Sequence, residues 1–407
     1  MQSRSIPALG LCLACSAFPA TAQTGDSAAN RAATSFNPRI SLILQGTYAD
    51  FGSTLEPEMP GVLLGPETGP RPGGFSLAET ELVIEANVDD QFHGWATVAL
   101  ENEGGETAVA LEEAYLNTLA LPAGLALKFG RFFSELGYQN RVHAHAWDFV
   151  DLPLVYRALL AGQVNDDGVQ LRWVAPTDLF VEIGAEALRG QEFPAGGPER
   201  DGVNSTIAFV HLGGDAGPSS SWRLGVSRLD ADADGRETAE EDGTEAFTFT
   251  GDSAVSIVDF VFKWAQDGNP ASRNFVLNAE FARRDENGTV AFDDGVSPAV
   301  ITAYDGTQDG FYVQGVYQFM PRWRVGARFD RLAADNTVAN NPAGEFDTLA
   351  DGDTAQRWSA MADFSNSEFS RVRLQYSRDE SRPGGGADDQ VFVQYVMSLG
   401  AHPAHQF

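Results

Sequence analysis

Four of the six histidines fall into two close pairs, His143-Ala144-His145 and His402-x-x-His405. Imidazole pairs are natural ligands for zinc or copper. Each pair alone is one ligand short of the usual three, and plain polar loop residues are the competing reading. Asp148 and Asp151 flank Phe149-Val150 close by, a carboxylate pair suited to acid–base work or to shaping an electric field. No G-x-S-x-G, H-E-x-x-H or Ser/His/Asp grouping accompanies them, so the sequence argues against an enzyme. Cys12 and Cys15 are the two cysteines, both in the first fifteen residues.

Those first residues read as a secretory leader. Arg4 supplies the charge, Ile6 to Phe18 an apolar run, and Ala20-Thr21-Ala22 a cleavage site. The expected division is a signal peptide over 1–22, a short segment over 23–38 and one domain over 39–407. Both cysteines would leave with the leader, which excludes disulfides, thiolate metal sites and cysteine nucleophiles. Lipidation would want leucine three residues before a cysteine, and Cys15 has Cys12 there. The formal charge is −30, which excludes nucleic acid as a partner. Aromatic residues at 11% and apolar residues at 43% point to a folded chain rather than a disordered acidic one. No run of eighteen apolar residues follows the leader, so no membrane helix is expected.

What must position these side chains is a set of strands. Leu125, Leu127 and Phe129 alternate with Ala126, Lys128 and Gly130, and Val169, Leu171 and Trp173 with Gln170 and Arg172. Trp323, Val325, Ala327 and Phe329 alternate with Arg324, Gly326, Arg328 and Asp330, and the same period continues through Val391–Leu399. One face is apolar and the other polar or small, the signature of membrane-spanning strands. About sixteen strands fit between Ile40 and Leu399. Tight turns such as Asp89-Asp90, Leu121–Gly124 and Met320-Pro321 alternate with long links near 51–74, 134–166, 190–203, 231–252, 285–307, 334–355 and 380–388. The expected fold is therefore all-β, a closed antiparallel transmembrane barrel in a Gram-negative outer membrane. Trp173, Trp222, Trp264 and Trp323 would form one girdle at the short-turn end.

Charge follows the same division. Asp230 to Asp252 holds nine carboxylates and one arginine, and the segments 285–309 and 335–353 hold six and five with no basic residue. Read as external loops, these would be solvated surface or bridge to lipopolysaccharide through divalent cations. Asp230-Ala231-Asp232-Ala233-Asp234-Gly235 weakly suggests a calcium loop. Lys128, Arg172, Arg324, Arg328, Arg371 and Arg373 take the inward phase. They would form a basic stripe or pair with Glu81, Glu85, Glu182 and Glu186.

The link over 134–166 is unlike the others, with Trp147, Phe149, Val150, Leu152, Leu154, Val155 and Tyr156 in one stretch. Such residues need a place to bury, and the lumen offers it. Arg141, His143, His145, Asp148, Asp151 and Arg157 would then border a constriction. Strand LALKFGRF, this inward third link and the return strand GVQLRW (168–173) together resemble the phosphate-selective porin group. That resemblance implies a passive diffusion channel for small hydrophilic or ionic solutes. It implies that Lys128, Arg131, Arg141 and Arg157 carry the channel's basic role. Glu135, Asp148 and Asp151 in the same region depart from that group's basic channel. The ending departs too: Phe407 is terminal aromatic, but Gly400 to Gln406, with Pro403, separate it from the last alternating strand.

The expected surroundings are outer-membrane lipid, lipopolysaccharide and the barrel assembly machinery, with a homotrimer as one assembly and no cofactor beyond divalent cations at acidic loops. The alternative function is outer-membrane zinc uptake, or a receptor-like barrel without a plug, resting on the histidine pairs.

Overall fold

The computed structural model describes residues 38–52, 59, 61–65, 68, 73–77, 79–103, 106–197, 201–238, 246–293, 298–350, 352, 354–382 and 386–400. The leader expected over residues 1–22, with Cys12 and Cys15, lies outside the described residues, as do His402, His405 and Phe407.

Sixteen antiparallel strands form one closed wall. In chain order they are β1 (Arg39–Phe51), β2 (Gly74–Leu77 with Thr80–Asn87), β3 (Phe92–Glu103), β4 (Glu106–Thr118), β5 (Leu125–Phe133) and β6 (Asn165–Val174). Next come β7 (Phe180–Leu188), β8 (Ser205–Asp215), β9 (Ser220–Glu237), β10 (Ala246–Ala265) and β11 (Asn274–Asp293). The last are β12 (Val300–Met320), β13 (Trp323–Val338), β14 (Ala355–Ser367), β15 (Ser370–Asp379) and β16 (Asp388–Gly400). β1 closes the barrel, pairing with β16 through Leu42↔Leu399 and with both pieces of β2 on its other edge. Closure removes the unpaired edge that an open sheet would present.

The period-two pattern decides which way each side chain points. Leu171, Trp173, Val325, Val393 and Met397 are exposed on the outer face, where bilayer rather than water meets them. Gln170, Arg328, Gln394 and Asp330 on the same strands are buried inside. Trp173, Trp222, Trp264 and Trp323 all sit on the outer face next to short turns, the girdle that the alternation predicts. The links at that end are short throughout, as at 321–322 and 368–369, and those at the far end are mostly long. Sixteen strands set aside a plug-bearing receptor barrel, which takes about 22.

Two of the expected long links are mostly strand. β9 to β12 run for 18, 20, 20 and 21 residues, so the links near 231–252 and 285–307 shrink to 238–245 and 294–299. Above the membrane both faces of a strand meet water, and apolar alternation gives way to Asp, Thr and Gly, which reads as loop. This also removes the calcium-loop reading. Asp230, Asp232 and Asp234 are exposed on one outward row of β9 and do not converge on a point. Arg228 pairs with Asp230 at 2.7 Å and Arg283 with Asp285 at 2.8 Å on the same outer surface.

Candidate functional site

The third connection, leaving β5 at Phe133 and returning at β6, folds into the barrel. Its apolar residues explain why. Leu136, Phe149, Val150, Leu154, Val155, Tyr156, Leu159 and Leu160 are almost wholly buried. Leu136 and the apolar residues from Leu154 to Leu160 pack with inward residues of the wall, among them Phe209, Leu229, Ile257, Tyr312 and Leu332, while Phe149 packs on Val316 and Met361 and Val150 on Ala49 and Phe392. Met59, Val62 and Leu64 of the first connection join the same core. The inner face of β7 to β14 is thus apolar at this level, where a polar or small face was expected. Where neighbouring residues are apolar on both faces, as at Phe209 and Val210, alternation alone cannot show it.

The connection contains one helix, α1 (Leu154–Leu160), which starts after Pro153 and ends at Ala161 in the left-handed region. Pro153 sets the entry, since its missing N–H costs nothing at a helix start. Polar anchors fix the rest of the path. Gly137 donates its N–H to Ser227 Oγ, Gln139 to Glu280 Oε1, Val150 to Gln375 Oε1 and Leu154 to Asp330 Oδ1. Gly137 has φ +76°, and a Cβ there would meet Glu280 Oε2 at 2.3 Å, so no larger residue fits this turn.

Charged anchors complete it. Asp148 pairs with Arg324 at 2.9 Å, and Asp151 with Arg328 at 2.8 Å and with Arg357. Burial alone would raise the Asp151 pKa, but Arg357 and Arg328 outweigh it and hold it below the usual carboxylate range. Glu135 pairs with Arg141 at 3.4 Å. Burial again acts upward there, and Arg141 leads the positive groups that bring Glu135 down to about 2. Arg157 donates to the backbone oxygen of Thr68 at 3.1 Å.

The histidine pair lies against the acidic side of the wall. His145 Nδ1 is 2.7 Å from Glu81 Oε1, and His143 Nε2 is 3.0 Å from Glu113 Oε2. His143 Nδ1 faces Glu112 Oε2 at 3.4 Å and Glu81 Oε2 at 3.5 Å. Arg371 donates to the backbone oxygen of His145 at 2.7 Å.

The wall residues named from sequence divide. Lys128 reaches over the rings of Tyr115 and Phe132, and Arg172 lies 3.5 Å from Glu182; with Arg324 and Arg328 they take the inward phase. Arg131 does not. It pairs in register with Ala114 and Asp167, on the outer face with Phe129 and Val169, and bonds Asp167 at 2.9 Å. Two-residue alternation places it there, because Lys128 and Arg131 are three apart and cannot share a face. Of the carboxylates expected to pair with wall arginines, Glu182 does so. Glu81 instead meets His145, Glu85 meets Arg39, and Glu186 accepts from Gln170 and the Glu135 N–H.

Sequence reasoning missed Glu112, Glu113 and Glu280. The signal for the first two was present: consecutive glutamates break an alternating strand. β4 bulges there, since Thr97 pairs with Glu113 and Val98 with Leu111, leaving Glu112 as the extra residue. A bulge turns two neighbouring side chains to one face. Glu280 sits in ordinary inward phase and carried no signal.

Comparison with known proteins agrees with this fold. No family model matches the chain. An uncharacterized protein of Aquifex aeolicus (strain VF5) is 29% identical over 358 residues, covering 82% of this chain and 70% of that protein. Among solved structures, the outer-membrane channel DcaP of Acinetobacter baumannii superposes with TM-score 0.54 at 12% identity, over 89% of this chain and 97% of that one. A loop-deletion form of the outer-membrane protein OmpT of Vibrio cholerae gives 0.54 at 11%, over 89% and 99%. OmpT in trimer form gives 0.51 at 10%, over 89% and 99%. These likenesses are of the outer-membrane β-barrel fold and do not single out the phosphate-selective group.

Proposed function

We propose that this chain is a passive diffusion channel of the outer membrane, narrowed by its third connection and preferring anionic solutes. It carries out no covalent chemistry in this reading, and it assembles as a homotrimer in lipid and lipopolysaccharide. The supporting observation is an asymmetry within the lumen's ion pairs. Side-chain exposure is 29% for Arg141 against 8% for Glu135, 34% for Arg172 against 8% for Glu182, and 23% for Arg324 against 0% for Asp363. In each pair water reaches the guanidinium and the carboxylate is withdrawn. Asp151 reverses the rule, being more exposed than Arg328 and Arg357. A passing ion samples the charges that solvent reaches, and in a narrow, poorly screened passage those charges act strongly. Lys128 and Arg157, both part-exposed, add to the positive lining.

The test is the reversal potential of single channels in a potassium chloride gradient. The expected sign is that of chloride preference; a cation-selective channel overturns the reading. Removing the third connection should raise conductance several-fold. A deletion variant that folds and conducts like the native barrel would place the constriction elsewhere.

A further inference from the structure

We propose that Glu81, Glu112 and His143 form a binding site for a divalent transition metal, which ties the third connection to β2 and β4. Three atoms converge: Glu81 Oε2, Glu112 Oε2 and His143 Nδ1, all within 4.8 Å of one another. The imidazole nitrogen lies 3.5 and 3.4 Å from the two oxygens. An ion with zinc-like bonds of about 2.0–2.2 Å holds tetrahedral neighbours about 3.3–3.6 Å apart, so both nitrogen–oxygen distances already match ligand spacing.

All three atoms are buried, and none has a hydrogen-bond partner. An unsatisfied buried oxygen or nitrogen is costly, and here three of them point at one spot. The second atoms of His143 and Glu81 are occupied in the manner of a metal's outer shell. His143 Nε2 meets Glu113 Oε2 at 3.0 Å, and Glu81 Oε1 meets His145 Nδ1 at 2.7 Å. With Nδ1 on the metal, Nε2 must carry the proton and donate it to Glu113, which fixes the tautomer and the ring. The bulge in β4 supplies the third ligand, since a regular strand would point Glu112 away from Glu113.

One nitrogen and two carboxylate oxygens suit zinc and its neighbours, not a soft cuprous ion. Calcium would need six or more oxygens. The part-exposed His143 and Glu112 leave the fourth position to water from the lumen. The assignment stands apart from the anion preference proposed above, and either can fail without the other.

The competing arrangement puts a proton on Nδ1 and leaves an imidazolium between carboxylates. Calorimetric titration separates the two. The full barrel, folded in detergent and stripped with chelator, is titrated with zinc chloride at neutral pH, alongside Glu112→Gln and His143→Gln. The expected result is one high-affinity zinc per chain, weakened at least tenfold in either variant while the barrel still migrates as a folded species. Glu113→Gln keeps the stoichiometry and weakens binding by about 10–100-fold. If His143→Gln fails to fold, Glu112→Gln carries the test. No zinc binding, or binding that Glu112→Gln leaves unchanged, overturns the proposal; the latter result would place the ions on the external acidic strands.

Discussion

The Tyr156 hydroxyl donates to Glu280 Oε2 at 2.8 Å, so the helix of the third connection hangs on a carboxylate of β11. The same carboxylate accepts the N–H groups of Tyr138 and Gln139 at 3.2 and 2.9 Å and the Tyr312 hydroxyl at 2.6 Å. One wall residue therefore holds both the outgoing and the returning arm. Glu280→Ala leaves four donors to find other partners, and each buried donor left unpaired costs about 1–3 kcal/mol. The expected outcome is a noisier channel and faster proteolysis within 134–166. Noise and cleavage equal to the native protein would show that the apolar packing alone holds the connection.

Asp151 bridges Arg328 and Arg357, both nearly inaccessible to water. Breaking a buried pair outright costs about 3–5 kcal/mol; Asp151→Ala should cost less than that, because Arg328 keeps Asp330 at 3.0 Å and Arg357 keeps Asp379 at 3.7 Å. Denaturant unfolding should register that loss. The same variant should move the reversal potential further toward chloride, because it removes a lumen carboxylate more exposed than the arginines it pairs with.

Arg141→Glu and Arg172→Glu reverse two water-exposed guanidiniums of the lumen pairs. Together they should shift the reversal potential toward potassium, with Arg131→Glu as a control. Arg131 faces outward, so its reversal should leave selectivity untouched. An equal shift from Arg131→Glu would mean that the lining has been assigned to the wrong face of β5.

Acid should loosen the connection in a defined window. The folded pKa of Glu135 is about 2, below its ordinary 4.5. A depressed carboxylate contributes stability above its unfolded pKa and loses it as pH falls through the folded value. Arg141 keeps its charge throughout. The part of the conductance that depends on this pair should therefore be steady above about pH 4.5 and change progressively toward about 2. Glu135→Gln should lack that part of the transition.

The outer face can be tested against its neighbour. Leu171→Arg puts a charge toward lipid at a cost of about 2–4 kcal/mol near mid-membrane, and the folded yield should drop. Arg172→Leu, one residue on and inward, should insert normally. Equal yields would contradict the register of β6.

The fold was legible because lipid on one side and water on the other impose a two-residue period. Leu171 and Arg172 could be placed from that alternation alone, and so could the tryptophans. The same signal fails where one of its two conditions lapses. Beyond the membrane, Asp230 to Glu237 and Asp285 to Asp293 continue as strand with no lipid to demand apolar residues, and they read as loops. Facing the apolar core, Phe209 and Ile257 are buried inward on strands whose outward residues are apolar too. The inward course of 134–166 could be argued from Trp147 to Tyr156, which had to be covered. The grouping of His143 with Glu81 and Glu112 could not, because it depends on a bulge and on which side of the barrel the connection crosses.

The core shared by the third connection and the wall also limits how such a barrel can be regulated. Swinging the connection outward would strip Phe149, Leu154, Tyr156 and Leu159 from their packing. It would also wet Phe209, Leu229 and Ile257 on the inner wall. Fully burying one such side chain is worth about 1.5–3 kcal/mol, so thermal motion cannot supply the whole movement and a membrane voltage acting on a few charges supplies little of it. The connection is a fitting, not a door. Any change in permeability must come from side chains that line the remaining space, such as Arg141 and Arg172, moving over fixed backbone.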